Sequence, residues 1–131
     1  PRTYIVQDAD LIINGNLDYT DNIAFVVKGG SIKINENVTS LSGTYISIPT
    51  LSGGTIEGIG GNTDNILTVK GSLYGNLANL IDKRTYVSND TTTGQINVGT
   101  IVSFGSQVFK KPAPLVGQFI SEYLASQKVA Q

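Results

Sequence analysis

The sequence contains no cysteine, histidine, methionine or tryptophan. The absence of cysteine excludes disulfides, thiol catalysis and thiolate metal sites. The absence of histidine removes the commonest general base and the commonest zinc ligand. No catalytic set stands out among the remaining side chains. We therefore expect that the chain is not an enzyme and that it holds no cofactor, with calcium as the one alternative considered below.

Charged residues are also scarce. They make up 15 % of the 131 residues, whereas average soluble proteins contain about 25 %. A net charge of −1 provides no basic face for phosphate groups, so nucleic acid is not an expected partner. No run of about 18 apolar residues is present, and no membrane span is expected. Asn, Ser, Thr and Gly replace the missing charge, and this composition predicts a secreted or cell-surface β protein.

The first two-thirds of the chain consists of short apolar segments, and Gly, Asn and Asp separate one segment from the next. Three of these segments share the order apolar, any residue, apolar, polar, turn residue, polar, apolar, and they are Leu11–Leu17, Ile32–Val38 and Leu67–Leu73. Glu36 stands at the turn position where the other two have glycine. The first residues of the three segments lie 21 and 35 positions apart, and the longer gap holds two coils of about 17–18 residues, which is typical of a solenoid. The pattern predicts an all-β fold, a short parallel β-helix (β-solenoid) of about five to six coils followed by a C-terminal amphipathic helix.

A β-sandwich or β-barrel is the alternative fold, because these architectures also contain many short strands. The pair Asn14-Gly15 favours this alternative, since Asn-Gly is the strongest signal for a tight hairpin turn. The solenoid remains the favoured prediction because Asn and Gly recur at matched positions after the strands. In addition, no Asn-Gly pair lies between two long alternating strands.

A different pattern begins after residue 109. Pro112 and Pro114 interrupt the β segments, and from Leu115 onward apolar residues recur at the spacing of one helix face. We therefore divide the chain into a solenoid domain, 1–109, and a proline-containing linker with a C-terminal helix, 110–131. The apolar stripe must be buried, either as a cap on one end of the solenoid or against a neighbouring subunit. The predicted interface residues are Leu115, Phe119, Ile120, Tyr123 and Leu124.

Four aspartates cluster near the start of the chain, and they are Asp8, Asp10, Asp18 and Asp21. Grouped carboxylates hold calcium in many proteins, and glycoside hydrolases use a pair of them for catalysis. Aspartates in turns also accept hydrogen bonds from nearby backbone N–H groups. The turn role is the favoured prediction because all four lie at turn positions, and a calcium site and a catalytic pair are the alternatives.

Basic pairs and tyrosines are two further candidates for ligand contacts. Lys83-Arg84 and Lys110-Lys111 are predicted to be solvated surface charge, with an anionic glycan or an acidic neighbour as the alternative partner. The six tyrosines outnumber the four phenylalanines. Exposed tyrosines on a flat β face can stack on sugar rings, whereas buried ones pack between strands. Packing is the favoured prediction, and sugar stacking would make a glycan the partner.

Three stretches carry a resemblance to a known group of proteins, and they are Leu67–Asn76, Asp82–Val87 and Val102–Leu115. They resemble the C-terminal part of large uncharacterised secreted proteins of candidate-phyla bacteria, and the resemblance extends over about residues 8–115. These proteins are β-helical, so the resemblance implies a β-helical fold and export. It implies no activity, and the helix after Leu115 departs from the pattern.

These observations favour an extracellular structural or adhesive surface module that assembles into a filament or oligomer. Repetition, low charge and the absence of reactive side chains are the basis of this prediction. A carbohydrate-binding module is the first alternative, because of the Tyr and Asn content. A polysaccharide-degrading β-helix enzyme is the second alternative. The predicted partners are a second copy of the chain or a neighbouring domain.

Overall fold

The computed structural model describes residues 1–84, 100–103 and 113–129. Within these ranges the chain forms strands and two helices in a regular order. The strands are β1 (Arg2–Gln7), β2 (Leu11–Ile13), β3 (Ile23–Lys28), β4 (Ile32–Asn35), β5 (Ser40–Ile48), β6 (Ile56–Ile59), β7 (Leu67–Tyr74) and β8 (Thr100–Ser103). The helices are α1 (Ala78–Lys83) and α2 (Val116–Val129).

All strand pairs between these elements are parallel. One sheet has five strands in the order β1-β3-β5-β7-β8, and the other has three in the order β2-β4-β6. The chain therefore alternates between the sheets, and each strand pairs with the strand two elements later. By this alternation, the element after β7 would be a fourth strand of the second sheet. Helix α1 takes that position instead. The predicted all-β, parallel-strand character is confirmed, and the described strands do not form the antiparallel pairs of a sandwich.

The strand register agrees with one part of the predicted repeat and corrects another. Leu11 pairs with Ile32, as the shared pattern predicts. Ile32 pairs in turn with Ile56 of β6. Leu67 belongs to the other sheet and pairs with Thr100, so its alignment with Leu11 was wrong. The first half of β7 alternates apolar and polar residues just as β4 of the second sheet does, so this pattern alone does not distinguish the sheets.

Paired glycines interrupt the two longest strands of the first sheet. Gly43 of β5 pairs with Gly71 of β7, and their φ angles are +110° and +153°. A Cβ atom on Gly71 would lie 1.8 Å from the carbonyl oxygen of Gly43, and one on Gly43 would lie 2.3 Å from the carbonyl oxygen of Ile23. The close approach of these backbones therefore requires glycine at both positions.

Both sheets contribute side chains to one main core cluster. Its buried members include Val27 and Tyr45 from the first sheet, Ile32 and Ile56 from the second, and Leu80 from α1. Tyr45 donates a hydrogen bond from its hydroxyl group to the carbonyl oxygen of Ser42 at 2.9 Å. Burial raises the pKa of Tyr45 well above its ordinary value, because the phenolate would lose its solvation.

Helix α2 packs on the opposite face of the first sheet. Val26 neighbours Val27 in β3 but belongs to a second cluster, which also includes Ile46, Ile48 and Phe119. Adjacent strand residues point to opposite faces, so this cluster lies on the face away from the main core. Lys28 forms an ion pair with Glu122 of the helix at 2.8 Å. The helix therefore covers a sheet face, and it does not cap an end of the strand stack.

The five predicted interface residues divide into two groups. Phe119 is buried, and Ile120 and Tyr123 pack partly buried against the sheet. Leu115 and Leu124 are exposed, so they do not belong to the packed stripe. Leu115 precedes the helix with a φ of +64°. The predicted boundary between residues 109 and 110 lies outside the described residues, and neither described helix is long and apolar enough to cross a membrane.

The packing of α2 predicts different results for two substitutions on the same helix. Phe119→Ala removes a buried ring from the second cluster, and we expect it to lower the free energy of unfolding by about 3 kcal/mol. Leu124→Ala removes an exposed side chain and should change it by less than about 0.5 kcal/mol. Urea unfolding followed by circular dichroism measures both values. Equal values for the two variants would contradict the observed packing.

Candidate interaction surface at the β1 edge

Strand β1 forms one border of the five-stranded sheet and pairs only with β3 within the described residues. The N–H groups of Arg2 and Asp8 donate to the carbonyl oxygens of Asn22 and Lys28, at 3.1 and 2.8 Å. Alternate residues of a parallel strand direct their backbone polar groups to the same side. The backbone polar groups between them that point away from β3 therefore belong to Thr3, Ile5 and Gln7. These three residues form an unpaired backbone edge.

Apolar side chains accompany this edge. Tyr4 is 42 % exposed and Ile5 is 52 % exposed. The Tyr4 ring stacks on Phe25 with 5.3 Å between ring centroids, and Phe25 stacks in turn on Tyr45 at 5.4 Å. The guanidinium group of Arg2 lies 5.9 Å from the Tyr4 ring centroid. The aromatic column that runs through three strands therefore ends on a partly exposed ring at the β1 edge.

The first strand of the second sheet extends this surface. Ile12 of β2 is exposed, and β2 pairs only with β4 within the described part of the chain. A cavity of about 240 Å³ lies next to it. The residues that line it carry no charge, and they are Leu11, Ile12, Ile13, Asn14, Gly15, Asn16, Leu17, Tyr19 and Phe25. The surface formed by β1, β2 and this cavity is therefore neutral and largely apolar apart from Arg2.

The far edge of the second sheet differs from the β1 edge because protein groups occupy it. The N–H group of Ile56 donates to the carbonyl oxygen of Asn76 at 3.0 Å. The N–H group of Gly58 donates to Oδ1 of Asn79 in α1 at 3.1 Å. Leu80 of the same helix is fully buried in the main core. Helix α1 therefore closes the second sheet after β6.

Of the aspartates that were candidates for calcium, Asp8 and Asp10 lie in the turn between β1 and β2, and Asp18 and Asp21 lie in the connection between β2 and β3. Asp10 accepts a hydrogen bond from the Ser31 N–H group at 2.9 Å and pairs with Lys33 at 3.1 Å. The Ser31 N–H group, and secondarily Lys33, lower the pKa of the Asp10 carboxyl. Asp18 accepts a hydrogen bond from the Ser40 hydroxyl group. These contacts agree with a turn role.

Asp8 and Asp21 complete the predicted set. Asp8 has a φ of +55° and directly follows β1. Asp21 lies 3.1 Å from the amino group of Pro1. Within residues 1–84, 100–103 and 113–129, no three acidic side chains form a group that could hold a metal ion. The structure thus does not bring the four aspartates together into one site.

Arg84 is the residue whose role the sequence did not predict. Its side chain is 3 % exposed, although we expected solvated surface charge for Lys83-Arg84. The guanidinium group donates to the carbonyl oxygens of Val38 at 2.6 Å, Asn35 at 2.7 Å and Asn65 at 3.1 Å. Burial lowers the pKa of Arg84, because the charged group has lost solvent. Lys83 Nζ donates to the carbonyl oxygen of Gly60 at 3.2 Å.

The tyrosines contribute mainly to packing, as the favoured prediction states. Tyr45 is fully buried, and Tyr74 packs edge-to-face on Tyr123 with 6.0 Å between ring centroids. Tyr4 stacks one ring face on Phe25, as described above. Tyr19 is partly exposed beside the cavity, and Tyr86 lies outside the described residues. Stacking on sugar rings stays a prediction.

Comparison with known proteins does not assign the chain to a family. No protein-family model, no curated protein and no solved structure matches it. The resemblance to secreted β-helical proteins therefore stays a prediction.

Proposed function

We propose that the chain is a secreted or cell-surface structural module with a β-solenoid fold, and that it associates through the β1 edge. The observation that carries this proposal is the unpaired backbone of Thr3, Ile5 and Gln7 beside exposed apolar side chains. An edge of this kind is a template for another β-strand. An adhesive role at a cell surface would use the same edge.

The strand pairing supports the solenoid part of the proposal. Arg2 pairs with Ile23 and Leu11 pairs with Ile32, so the first circuit of the chain has the same length in both sheets. The next circuit is longer in the second sheet, where Ile32 pairs with Ile56, than in the first, where Ala24 pairs with Thr44. An isolated parallel bridge joins Leu17 to Leu41 and adds a third site of pairing between successive circuits. The five strands of the first sheet support a stack of about five coils.

The composition of β1 supports association at its edge. Natural proteins protect exposed edge strands with charged residues, proline or bulges, because an unprotected edge promotes aggregation. Within β1, Arg2 is the only charged residue, and no proline is present. The exposed Ile5 would lose contact with water when a further strand pairs with this edge.

Low charge and the abundance of Asn, Ser and Thr support export. The carbohydrate-binding and polysaccharide-degrading alternatives stay predictions.

Association through the β1 edge predicts that the average mass of the 131-residue chain rises with concentration in light scattering. Ile5→Pro should abolish this rise, because proline removes the outward N–H group while the inward bonds from Arg2 and Asp8 remain. Ile5→Val retains the N–H group and should associate like the unaltered chain. Circular dichroism would verify that both variants are folded.

Two outcomes would contradict the proposed function. The first is a monomeric unaltered chain at every concentration up to about the millimolar range, where weak association becomes visible. The second is undiminished association of a folded Ile5→Pro variant, which would place the contact elsewhere on the molecule.

A further inference from the structure

We infer that the partner at the β1 edge is a second copy of this chain, related by a two-fold axis that pairs β1 antiparallel with β1 of the second copy. This inference rests on the proposed function and specifies its partner and geometry. Three observations carry it: the unpaired β1 edge, the closed far edge of the second sheet, and the charges at the two ends of β1.

The closed far edge opposes head-to-tail association. In that arrangement, β1 and β2 of one copy would continue both sheets of the other at its far end. Strand β6 would then need to pair with a new strand, but its outward N–H groups already bind Asn76 and Asn79. Helix α1 also buries Leu80 in the core at this position. The partner therefore presents its own β1 edge, which makes the contact isologous and closes the assembly at two copies.

The charges along β1 favour an antiparallel register. Arg2 opens the strand and Asp8 directly follows it. When Ile5 lies opposite Ile5 of the second copy, Arg2 lies opposite Asp8 of the second copy, and opposite charges stabilise such cross-strand pairs. An in-register parallel pairing of the two β1 strands would instead bring like charges together.

The same register also satisfies the unpaired backbone. Thr3 lies opposite Gln7 of the second copy, and Ile5 lies opposite its own equivalent. Each outward-facing residue of β1 then exchanges hydrogen bonds with an outward-facing residue of the second copy. On the core face, Tyr4 lies opposite Val6 of the second copy, which would cover the exposed ring.

A single cysteine tests this geometry, because the 131 residues contain none. In Ile5→Cys the two sulfur-bearing residues would face each other with about 5.5 Å between Cα atoms, within the range of about 4.4–6.8 Å that disulfides accept. Leu51→Cys is the matched control, because Leu51 is 105 % exposed in the loop between β5 and β6. Both variants would be oxidised mildly, and in parallel treated with a short bismaleimide, at the concentration where the unaltered chain associates.

We expect a reducible covalent dimer in most of the Ile5→Cys sample, at least about tenfold more than for Leu51→Cys, and no larger species in light scattering. Equal cross-linking of the two variants, while the unaltered chain still associates through β1, would overturn the two-fold geometry and leave the proposed function intact. Filaments or growing oligomers would also overturn it. A chain that is monomeric at every concentration would overturn the proposed function together with this inference.

Discussion

Gly71→Ala is expected to lower the free energy of unfolding by roughly 3 kcal/mol or more. The new Cβ atom would lie 1.8 Å from the carbonyl oxygen of Gly43, which is far inside van der Waals contact. That oxygen belongs to the backbone of the paired strand, so a side-chain rotation cannot relieve the overlap. The φ of +153° at Gly71 adds strain for any residue with a side chain. Strands β5 and β7 would have to separate at this point.

Gly15→Ala is the matched control for this expectation. A Cβ atom on Gly15 would meet no atom within 4 Å. We expect its free energy of unfolding to remain within about 0.5 kcal/mol of the unaltered value. The urea midpoints of both variants, measured by circular dichroism at a low protein concentration, give the comparison. Similar midpoints for Gly71→Ala and the unaltered chain would show that β5 and β7 are not paired in the described register.

Arg84→Met is expected to destabilise the chain by about 3–5 kcal/mol. The guanidinium group is buried and donates to three carbonyl oxygens, which belong to Asn35, Val38 and Asn65. Methionine fills a similar volume but removes one donor from each of the three oxygens. The Asn35 carbonyl oxygen still accepts the Val38 N–H group, whereas the buried bond to the Val38 carbonyl oxygen is lost, and an unsatisfied buried polar group costs its full desolvation energy. Arg84→Lys should recover only a part of the loss, because an ammonium group lacks the planar fork that reaches several acceptors at once.

Lys83→Met separates the effect of burial from that of charge. It removes one positive charge from the neighbouring position, where the ammonium group donates to a single carbonyl oxygen, that of Gly60. We expect a change below about 1 kcal/mol for this variant. Thermal unfolding of the three variants at pH 7 provides the measurement. Equal melting temperatures for Arg84→Met and Lys83→Met would contradict the role of Arg84 as an internal hydrogen-bond donor.

Local periodicity predicted the strands, but it did not assign every strand to the correct sheet. Alternating apolar residues and punctuating Gly and Asn predicted short parallel strands, and the spacing from Leu11 to Ile32 predicted one register correctly. The same reasoning placed Leu67 in the wrong sheet. Connections of unequal length separate the strands, and equivalent alternation occurs in both sheets, so position along the chain does not identify the sheet.

For helix α2 as well, the local pattern predicted the apolar face but not the surface against which it packs. The spacing of Phe119, Ile120 and Tyr123 predicted one apolar face, and these residues do pack together. The surface that receives them was not predictable. The residues of β3 and β5 that alternate with the core positions are apolar here, whereas the usual alternation would expose polar groups. A signal was therefore present in Val26, Ile46 and Ile48, but it is recognisable only when the core face of each strand is known.

The sequence by itself determined the class of the protein. Low charge, the absence of cysteine and histidine, and short β-branched segments predicted a parallel-strand protein without thiol or imidazole chemistry, because these properties depend on composition and on neighbouring residues. Only the tertiary structure decided that Arg84 is buried, that α1 lies at the far edge of the second sheet and that β1 pairs on one side only among the described residues. Each of these features depends on contacts between residues that are far apart in the chain, and a local pattern carries no information on which distant backbone groups a side chain will meet.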